Sequence, residues 1–516
     1  MKFQKNDLVT IRIEDIGSAG EGIGKAEGFT VFVRDALLGD LAEVKLTKVK
    51  KSFGYGRLMR VIQASPYRVS PPCPVFGPCG GCQLQNMDYR AQLSWKENVV
   101  RNDLERIGGI VLAAADHNEA RPDAGNEIES RPDTEEEVRT RRNTGSEIPG
   151  KAELPATVAQ MEPISGMEHP FRYRNKALFP VRRDREGKLV AGYYAQHSHR
   201  VIPLLSLSGD GKEQKTRTGG DCLIGAKCNR PVLEAVLHWM ADHRIEPYDE
   251  ESGRGLVRHV LVRFGCSSGQ ILVCPVINGR KLPCADDLVR RLVSIDGMTS
   301  ISYSVNLERT NVIMGSSSVT LWGSGSIEDS IGPLRFRISP LSFFQVNPVQ
   351  TVRLYEKVLD FASLSGNETV WDLYCGIGSI SLFLARKAKQ VIGVEIIPQA
   401  VEDAKENALL NGISNAEFLA GKAEEVVPRI FREQKIRADV VVVDPPRKGC
   451  DEILLDTIMR MEPEKIVYVS CNPATLARDV KKLSGSNYQV TKVAPYDLFP
   501  ASVHVETVVL MSRRRD

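Results

Sequence analysis

Four apolar runs in the last third of the chain constrain its fold most. Each is five residues long and contains at least three Val, Ile, Leu or aromatic residues: 369–373, 390–394, 439–443 and 465–469. Such runs are typical of parallel strands that are covered by helices on both faces. Helical patterns fit between them, as in 398–411, where alanine recurs every fourth residue and a proline begins the segment. Residues 336–516 are therefore predicted to form a doubly wound, Rossmann-like α/β domain.

The chain ahead of this domain is predicted to form two further domains. Residues 1–64 alternate short strand-like runs with glycine turns, which predicts a small OB-like β-barrel. Its segment 45–60 holds six Lys/Arg and no acid, with Phe53 and Tyr55 between them. Basic groups beside aromatic rings suit RNA, although a solvated strand face is the alternative. Residues 65–335 alternate apolar runs and turns after about 170, which predicts a β-rich central domain.

The central domain also contains a predicted helix and an acidic insert. Residues 89–107 have a helical pattern that ends at two glycines. Residues 116–160 hold eleven acids and six Lys/Arg, a net charge of −5, which leaves +8 on the rest of the chain. This insert has no aromatic residue and is predicted to be disordered, because too few apolar groups offset the entropy of ordering it. A basic body is compatible with a nucleic-acid partner, but solubility explains it equally well.

The sequence carries no apolar run typical of a secretory signal or of a membrane span. We therefore expect a cytoplasmic protein without a membrane partner, and nothing in the sequence predicts an obligate protein partner. The eleven cysteines are unevenly spaced. In a cytosolic chain such cysteines are metal ligands, nucleophiles or core residues rather than a disulfide framework.

Acidic residues follow several of the predicted strands at one edge of the sheet. Asp372-Leu-Tyr-Cys-Gly-Ile-Gly378 ends the first strand, Glu395 ends the second, and Asp444-Pro-Pro-Arg447 ends a later one. The glycines let the backbone approach a ligand, and a carboxylate at Glu395 can accept both ribose hydroxyls. A Gly-x-Gly turn alone suits a nicotinamide cofactor about as well. The acid before the glycines and the missing third glycine favour S-adenosylmethionine, with its positive sulfonium.

A cysteine and a glutamate are the candidate catalytic groups. Cys471, in Ser-Cys-Asn-Pro, follows the next strand, although any single cysteine is most often structural. Glu506 interrupts an otherwise apolar strand and is either functional or a solvated strand charge. Carbon 5 of uracil accepts a methyl group only after a thiolate adds to carbon 6, and a base must then remove the carbon 5 proton. The target base must also leave its stack. Cys471 and Glu506 suit these two roles.

Motifs in the last third of the chain resemble a known family. In order they are Ser339-Pro-Leu-Ser-Phe-Phe-Gln-Val-Asn-Pro348, Asp-Leu-Tyr-Cys-Gly-Ile-Gly, Asp-Pro-Pro-Arg-Lys-Gly449, Ser-Cys-Asn-Pro and His504-Val-Glu-Thr-Val508. The sequence is similar to the bacterial 23S ribosomal RNA uracil-5-methyltransferases of the RumA (RlmD) type, within the wider TrmA family, over nearly everything except the insert. The resemblance implies Cys471 as nucleophile, Glu506 as base and a TRAM domain at the N-terminus. The methyl-donor contacts that it implies are Gln345, Tyr374, Glu395 and Asp444.

Three cysteines lie within ten residues of the central domain, at Cys73, Cys79 and Cys82, among prolines and glycines. This spacing predicts a metal site but leaves zinc and an iron–sulfur cluster open. The family resemblance implies a [4Fe–4S] cluster with one remote fourth cysteine. Cys222 best matches that ligand, and Cys228 is the reserve.

The resemblance implies a uridine of 23S rRNA as the substrate, and three other functions remain as alternatives. The first is the same chemistry on transfer RNA, a branch that resembles neither the barrel nor the cysteines. The second, methylation of cytosine carbon 5, requires a cysteine where Arg447 follows the prolines. The third is a non-catalytic iron–sulfur RNA-binding protein, which Cys471 and Glu506 argue against. The sequence does not predict which uridine is modified, or whether the protein modifies one uridine or two.

Overall fold

We describe residues 3–113, 158–196, 198–434 and 437–514 of a computed structural model of the 516-residue chain. The predicted disordered insert lies outside the described residues except for its last three positions. Of these, Gln160 begins a short strand, so the segment predicted to be disordered does not extend to residue 160.

The N-terminal strands form a closed barrel in the order β1-β2-β3-β5-β4, which confirms the predicted fold of this domain. They are β1 (Leu8–Ile16), β2 (Gly22–Ala26), β3 (Phe29–Arg34), β4 (Leu41–Val49) and β5 (Phe53–Gln63). Alternating apolar side chains such as Val31 and Val33 fill the interior. A side chain at Gly56 would begin 2.1 Å from Val44, so the closed barrel requires glycine there.

The central domain is a seven-stranded sheet in the order β13-β12-β11-β10-β7-β8-β9, with helices α2 and α3 on one face. Its strands are β7 (Lys176–Arg183), β8 (Leu189–Tyr194), β9 (Val201–Leu207), β10 (Val257–Phe264), β11 (Ile271–Ile277), β12 (Met298–Val305) and β13 (Ser318–Gly323). Its helices are α2 (Asn229–Asp242) and α3 (Ala285–Val293). A two-stranded sheet of β14 (Ile327–Ile331) and β15 (Leu334–Ile338) follows and packs into the core of the C-terminal domain.

The C-terminal domain is an eight-stranded sheet in the order β18-β17-β16-β19-β20-β22-β21-β6. Its strands are β6 (Gln160–Met161), β16 (Thr369–Leu373), β17 (Gln390–Glu395), β18 (Ala416–Ala420), β19 (Val440–Val443), β20 (Lys465–Ser470), β21 (Tyr488–Tyr496) and β22 (Glu506–Arg513). Its helices are α4 (Pro348–Ala362), α5 (Ser379–Ala385), α6 (Pro398–Leu410), α7 (Ala423–Gln434), α8 (Glu452–Met461) and α9 (Pro473–Ser484). The four apolar runs are buried parallel neighbours, as predicted.

The helix predicted at 89–107 forms α1 (Tyr89–Arg106), but it packs in the C-terminal domain rather than the central one. Val100 and Leu104 of α1 join the apolar core that contains Trp371, and Ala159 joins the same core. Strand β6 adds to the edge of the C-terminal sheet beside β21. The predicted domain boundary at residue 336 therefore does not separate the two domains completely, because α1 and β6 precede it in sequence but pack in the C-terminal domain. Sequence adjacency does not reveal which core an amphipathic helix covers.

Within the part of the chain that the structure describes, every helix is too short or too polar to cross a bilayer.

Candidate active site

Strand pairing brings Cys471 and Glu506 to the same point of the sheet. Strand β22 runs antiparallel to β20, and the last pair in their register is Ser470 with Thr507. One further step along each chain leads to Cys471 and Glu506. Glu506 is buried, with 5% of its surface exposed, whereas Cys471 is half-buried. The nucleophile and base predicted from sequence are therefore neighbours at the carboxyl edge of the sheet.

Charges at this edge act directly on the Cys471 thiol. Burial, together with the carboxyl groups of Glu506 and Asp444, raises its pKa to about 11, whereas Arg447 opposes the shift. Burial, followed by repulsion from Asp444, raises the pKa of Glu506 well above its usual range, again against Arg447. Asp444 and Arg447 thus act on both Cys471 and Glu506, and we call these four residues the Cys471 cluster.

Burial also disfavours the charged form of two carboxyl groups at the same edge, those of Asp444 and Asp372. Burial raises the pKa of Asp444 to about 7. Burial also raises the pKa of Asp372 to about 7, and the charges of Asp444 and Glu395 add to the effect. Asp372 Oδ2 accepts a hydrogen bond from Ser381, but its Oδ1 has no partner among the described residues. A cation bound near these carboxylates would relieve their repulsion, which fits a positive sulfonium.

The glycine turn after β16 is shaped for close approach by a ligand. Gly376 has a φ of +56°, and a side chain there would project into open space. Its N–H donates to Glu395 Oε2 at 3.1 Å, and Ile397 N–H donates to Oε1 at 2.9 Å. Both oxygens keep lone pairs for ribose hydroxyls. Tyr374 lies in the same turn with a φ of +70°, a conformation uncommon for a residue with a side chain.

The remaining predicted donor contact, Gln345, lies in the segment just before α4 and is 7% exposed. Its backbone carbonyl accepts a hydrogen bond from Asn175 Nδ2 at 2.9 Å, which joins this segment to the start of β7. The predicted donor contacts are therefore distributed over the β16 turn, the ends of β17 and β19, and the segment before α4. The acids among them, with the glycines of the β16 turn, fit S-adenosylmethionine.

Loop 497–505, which leads into Glu506, is anchored by buried polar groups. Lys96 of α1 donates to Asp497 at 2.5 Å and to the carbonyl of Phe499 at 3.1 Å, and both charged side chains are fully buried. Tyr89 Oη donates to the other Asp497 oxygen at 2.9 Å. The backbone N–H groups of residues 83 and 84 both donate to the carbonyl of Ala501, so the cysteine-rich segment also holds the loop.

Four predicted metal ligands line one cavity of about 320 Å³, which we call the cysteine cavity: Cys73, Cys79, Cys82 and Cys222. Burial raises the pKa of Cys82 to about 12, and nearby Cys222 and Cys79 add to the effect. The reserve ligand, Cys228, is outside the lining. Across the described residues, no three His, Cys, Asp or Glu side chains are grouped so as to hold a metal ion. The structure thus brings the thiols to one cavity without showing a metal site.

Comparison with known proteins identifies the family. Residues 332–514 match the family model described as tRNA (Uracil-5-)-methyltransferase, and residues 2–59 match the TRAM domain. An uncharacterized RNA methyltransferase of Halalkalibacterium halodurans is 44% identical over 508 residues, which cover 98% of this chain and 97% of the relative. Another, from Bacillus cereus, is 44% identical over 511 residues, which cover 99% and 97%. The chain belongs to the RNA uracil-5-methyltransferase family.

A solved structure shares the whole architecture of this RNA methyltransferase. The crystal structure of the tRNA (uracil-54, C5)-methyltransferase of Pyrococcus abyssi with S-adenosyl-L-homocysteine covers 98% of this chain and 100% of its own, with a TM-score of 0.68 and 24% identity. At 24% identity, this likeness establishes only that the two proteins share a fold. The protein is thus an S-adenosylmethionine-dependent RNA uracil-5-methyltransferase with an N-terminal TRAM domain.

Sequence reasoning gave no role to Arg447, a member of the Cys471 cluster of this methyltransferase, or to His504 beside it. Arg447 is exposed, and its guanidinium lies 3.1 Å from His504 Nε2. Burial, together with the positive charge of Arg447, lowers the pKa of His504 to about 4, so its ring is neutral and can accept from Arg447. Both residues stand inside motifs quoted from the sequence, but only their proximity to Cys471 and Glu506 indicates a function.

Proposed function

We propose that the methyltransferase methylates carbon 5 of a uridine in 23S rRNA, with Cys471 as nucleophile and Glu506 as base. The single observation that carries the chemistry is the register of β20 and β22, which brings the thiol and the carboxyl group together. Bound S-adenosylmethionine supplies an electrophilic methyl group on a positive sulfonium. Gln345, Tyr374, Glu395 and Asp444 are the proposed contacts to this donor.

The proposed reaction begins with addition of the Cys471 sulfur to carbon 6 of an unstacked uracil. This bond makes carbon 5 nucleophilic, so that it takes the methyl group. Glu506 then removes the proton from carbon 5, the carbon 5–carbon 6 double bond re-forms, and the sulfur leaves as a thiolate. The thiol is mostly protonated in the free protein because burial raises its pKa to about 11. We propose that Arg447, which opposes this shift, favours the thiolate when RNA is bound.

The choice of 23S rRNA follows the resemblance of the sequence motifs, and transfer RNA is the second candidate. The Pyrococcus abyssi enzyme is a tRNA (uracil-54, C5)-methyltransferase, and it aligns along its full length with this barrel-containing chain. A barrel alone therefore does not distinguish the two substrates. Incubation with S-adenosylmethionine and each RNA lacking 5-methyluridine decides between them. Methylation of 23S rRNA alone supports the first proposal, and methylation of transfer RNA alone replaces it with the second.

We also propose that the cysteine cavity holds a [4Fe–4S] cluster with Cys222 as the fourth ligand. Four thiols around one cavity of about 320 Å³ support this, because cysteine thiolates are the usual ligands of such clusters. Anaerobically purified protein is expected to contain iron and sulfide, and Cys222→Ser is expected to lose both, whereas Cys228→Ser keeps them. Zinc in place of iron, or iron content unchanged in Cys222→Ser, contradicts the proposal.

A further inference from the structure

The central sheet carries another cavity, of about 380 Å³, which we call the tyrosine cavity. Its lining includes Tyr194, Tyr248, Arg258, His259 and Arg309. Val260 and Val262 of β10 pack toward helices α2 and α3, and His259 alternates with them. A register shift between Val257 and His259 removes Arg258 from this alternation. The cavity that His259 lines therefore lies on the opposite face of the sheet. It is formed by residues outside the Cys471 cluster and outside the cysteine cavity.

Two residues that line the tyrosine cavity, Arg258 and His259, contain buried nitrogen atoms without hydrogen-bond partners among the described residues. Arg258 is 5% exposed and His259 is 4% exposed. Arg258 Nε and His259 Nδ1 make no hydrogen bond among the described residues. Their other nitrogens are held in place, because Arg258 Nη1 donates to two backbone carbonyls and His259 Nε2 lies 3.2 Å from Tyr194 Oη. Buried groups of this kind are costly unless a ligand or water completes them.

Rings and positive charge give the tyrosine cavity the chemistry of a nucleotide site. The Tyr194 ring lies 6.0 Å from the rings of both His199 and His259, and the Arg258 guanidinium lies 4.5 Å from the centre of the Tyr248 ring. Glu250 pairs with Arg182 and His199, so Arg258 and Arg309 retain uncompensated positive charge among the lining residues. Aromatic faces beside cations are how proteins bind single-stranded RNA.

The tyrosine cavity is also adjacent to the barrel surface predicted to bind RNA. A groove of about 610 Å³ between the barrel and the cysteine-rich segment is lined by Phe32, Tyr55 and Arg57, and by Gln196. Ala195, the neighbour of Gln196, lines the tyrosine cavity. At its other side the groove includes residue 83, whose N–H holds loop 497–505. The groove therefore extends from a residue that holds loop 497–505 to a residue next in sequence to the lining of the tyrosine cavity.

We propose that the tyrosine cavity binds one unstacked nucleotide of the substrate RNA, at a position other than the target uridine. The RNA strand passes along the barrel groove between the two sites. Tyr194 supplies a stacking surface, Arg258 and His259 supply hydrogen bonds, and Arg309 supplies positive charge at the rim. This proposal rests on RNA as the substrate but not on the Cys471 chemistry or on the cluster.

Binding and crosslinking measurements test the site in the full-length protein. Tyr194→Leu and Arg309→Ala remove a ring and a rim charge, and Arg290→Ala, an exposed arginine on α3, is the matched control. The affinity for a single-stranded oligouridylate, measured by fluorescence anisotropy, is expected to fall about fivefold or more in Tyr194→Leu and less in Arg309→Ala. The control is expected to bind as the unaltered protein does.

A 4-thiouridine-substituted oligouridylate identifies the contact directly. Its photocrosslinks are expected in peptides that contain Tyr194 or Tyr248. Unaltered affinity in both variants, or crosslinks confined to other peptides, overturns the proposal and leaves a solvent-filled cavity. Loss of binding in a protein that methylates no uridine would support this site while overturning the proposed function.

Discussion

Cys471 lies opposite Glu506, one step beyond the last paired residues of β20 and β22. In a parallel sheet, the first residue of a neighbouring strand lies at the edge opposite the ligand site. Because β22 is antiparallel, its first residue instead lies at the carboxyl edge, beside the residue that follows β20. The reversal of one strand therefore brings the proposed base to the proposed nucleophile.

Replacement of the proposed base is expected to stop the reaction after methyl transfer. Glu506→Gln cannot remove the carbon 5 proton, so the Cys471 sulfur cannot leave carbon 6. We expect a covalent protein–RNA adduct that survives denaturing electrophoresis and carries the labelled methyl group. Glu417→Gln, an exposed glutamate on β18, is the control and should turn over normally. Normal turnover by Glu506→Gln would show that another group removes the proton.

The reactivity of Cys471 in the free protein is expected to rise with pH. Only the thiolate is alkylated, and burial raises its pKa to about 11, so the rate increases toward that pH. Arg447→Ala removes the charge that opposes this shift and should move the midpoint upward, whereas Arg460→Ala should not. The measurement is iodoacetamide labelling of the Cys471 peptide by mass spectrometry across pH. A midpoint near neutral pH would contradict the electrostatic account.

Glu395 is expected to contribute most of the affinity for the donor's ribose. Its two oxygens are fixed by the N–H groups of Gly376 and Ile397, which leaves them aimed and ready to accept hydroxyls. We expect Glu395→Gln to weaken S-adenosylmethionine binding about tenfold or more, since hydrogen bonds to a charged group are worth about 1.5–3 kcal/mol. Calorimetric titration measures this loss. Glu402→Gln, on the exposed side of α6, should bind normally.

The buried ion pair between Lys96 and Asp497 is expected to stabilise the protein and to position loop 497–505. Lys96→Met leaves a buried carboxylate with one fewer partner and should lower the free energy of unfolding by about 3–5 kcal/mol. The double variant with Asp497→Asn should lose less than the sum of the single losses. Urea unfolding measures both.

An exposed ion pair serves as the control for this pair. Lys422→Met breaks a surface contact to Glu425 and should change the free energy of unfolding by less than about 0.5 kcal/mol.

Turnover should fall in Lys96→Met even where the protein is fully folded, because Asp497 is in the loop that leads into Glu506. Unchanged turnover would limit the ion pair to a structural role.

Local pattern was enough to predict the C-terminal strands. The run at 369–373 became β16 without change, and β17 and β20 each extend one residue beyond their predicted ends. Such runs can be recognised in the sequence because strands that are buried on both faces must be apolar throughout. The barrel could also be predicted from local pattern, because its short alternating strands are separated by glycine turns.

Long-range pairing was not predictable in the same way. Nothing near Glu506 in sequence indicates that β22 is antiparallel or which residue it pairs with. Helix α1 carries an apolar face that either domain could cover, and only the fold places Val100 against the core around Trp371. The tyrosine cavity combines four separate segments of the central domain, so no local pattern signals it.

The most direct test of the central claim is transfer of labelled methyl from S-adenosylmethionine to 23S rRNA without 5-methyluridine, followed by mapping of the modified position. The account predicts label at carbon 5 of a uridine with the unaltered protein, and none with Cys471→Ala. Label at any other atom, or an undiminished rate in Cys471→Ala, would contradict it.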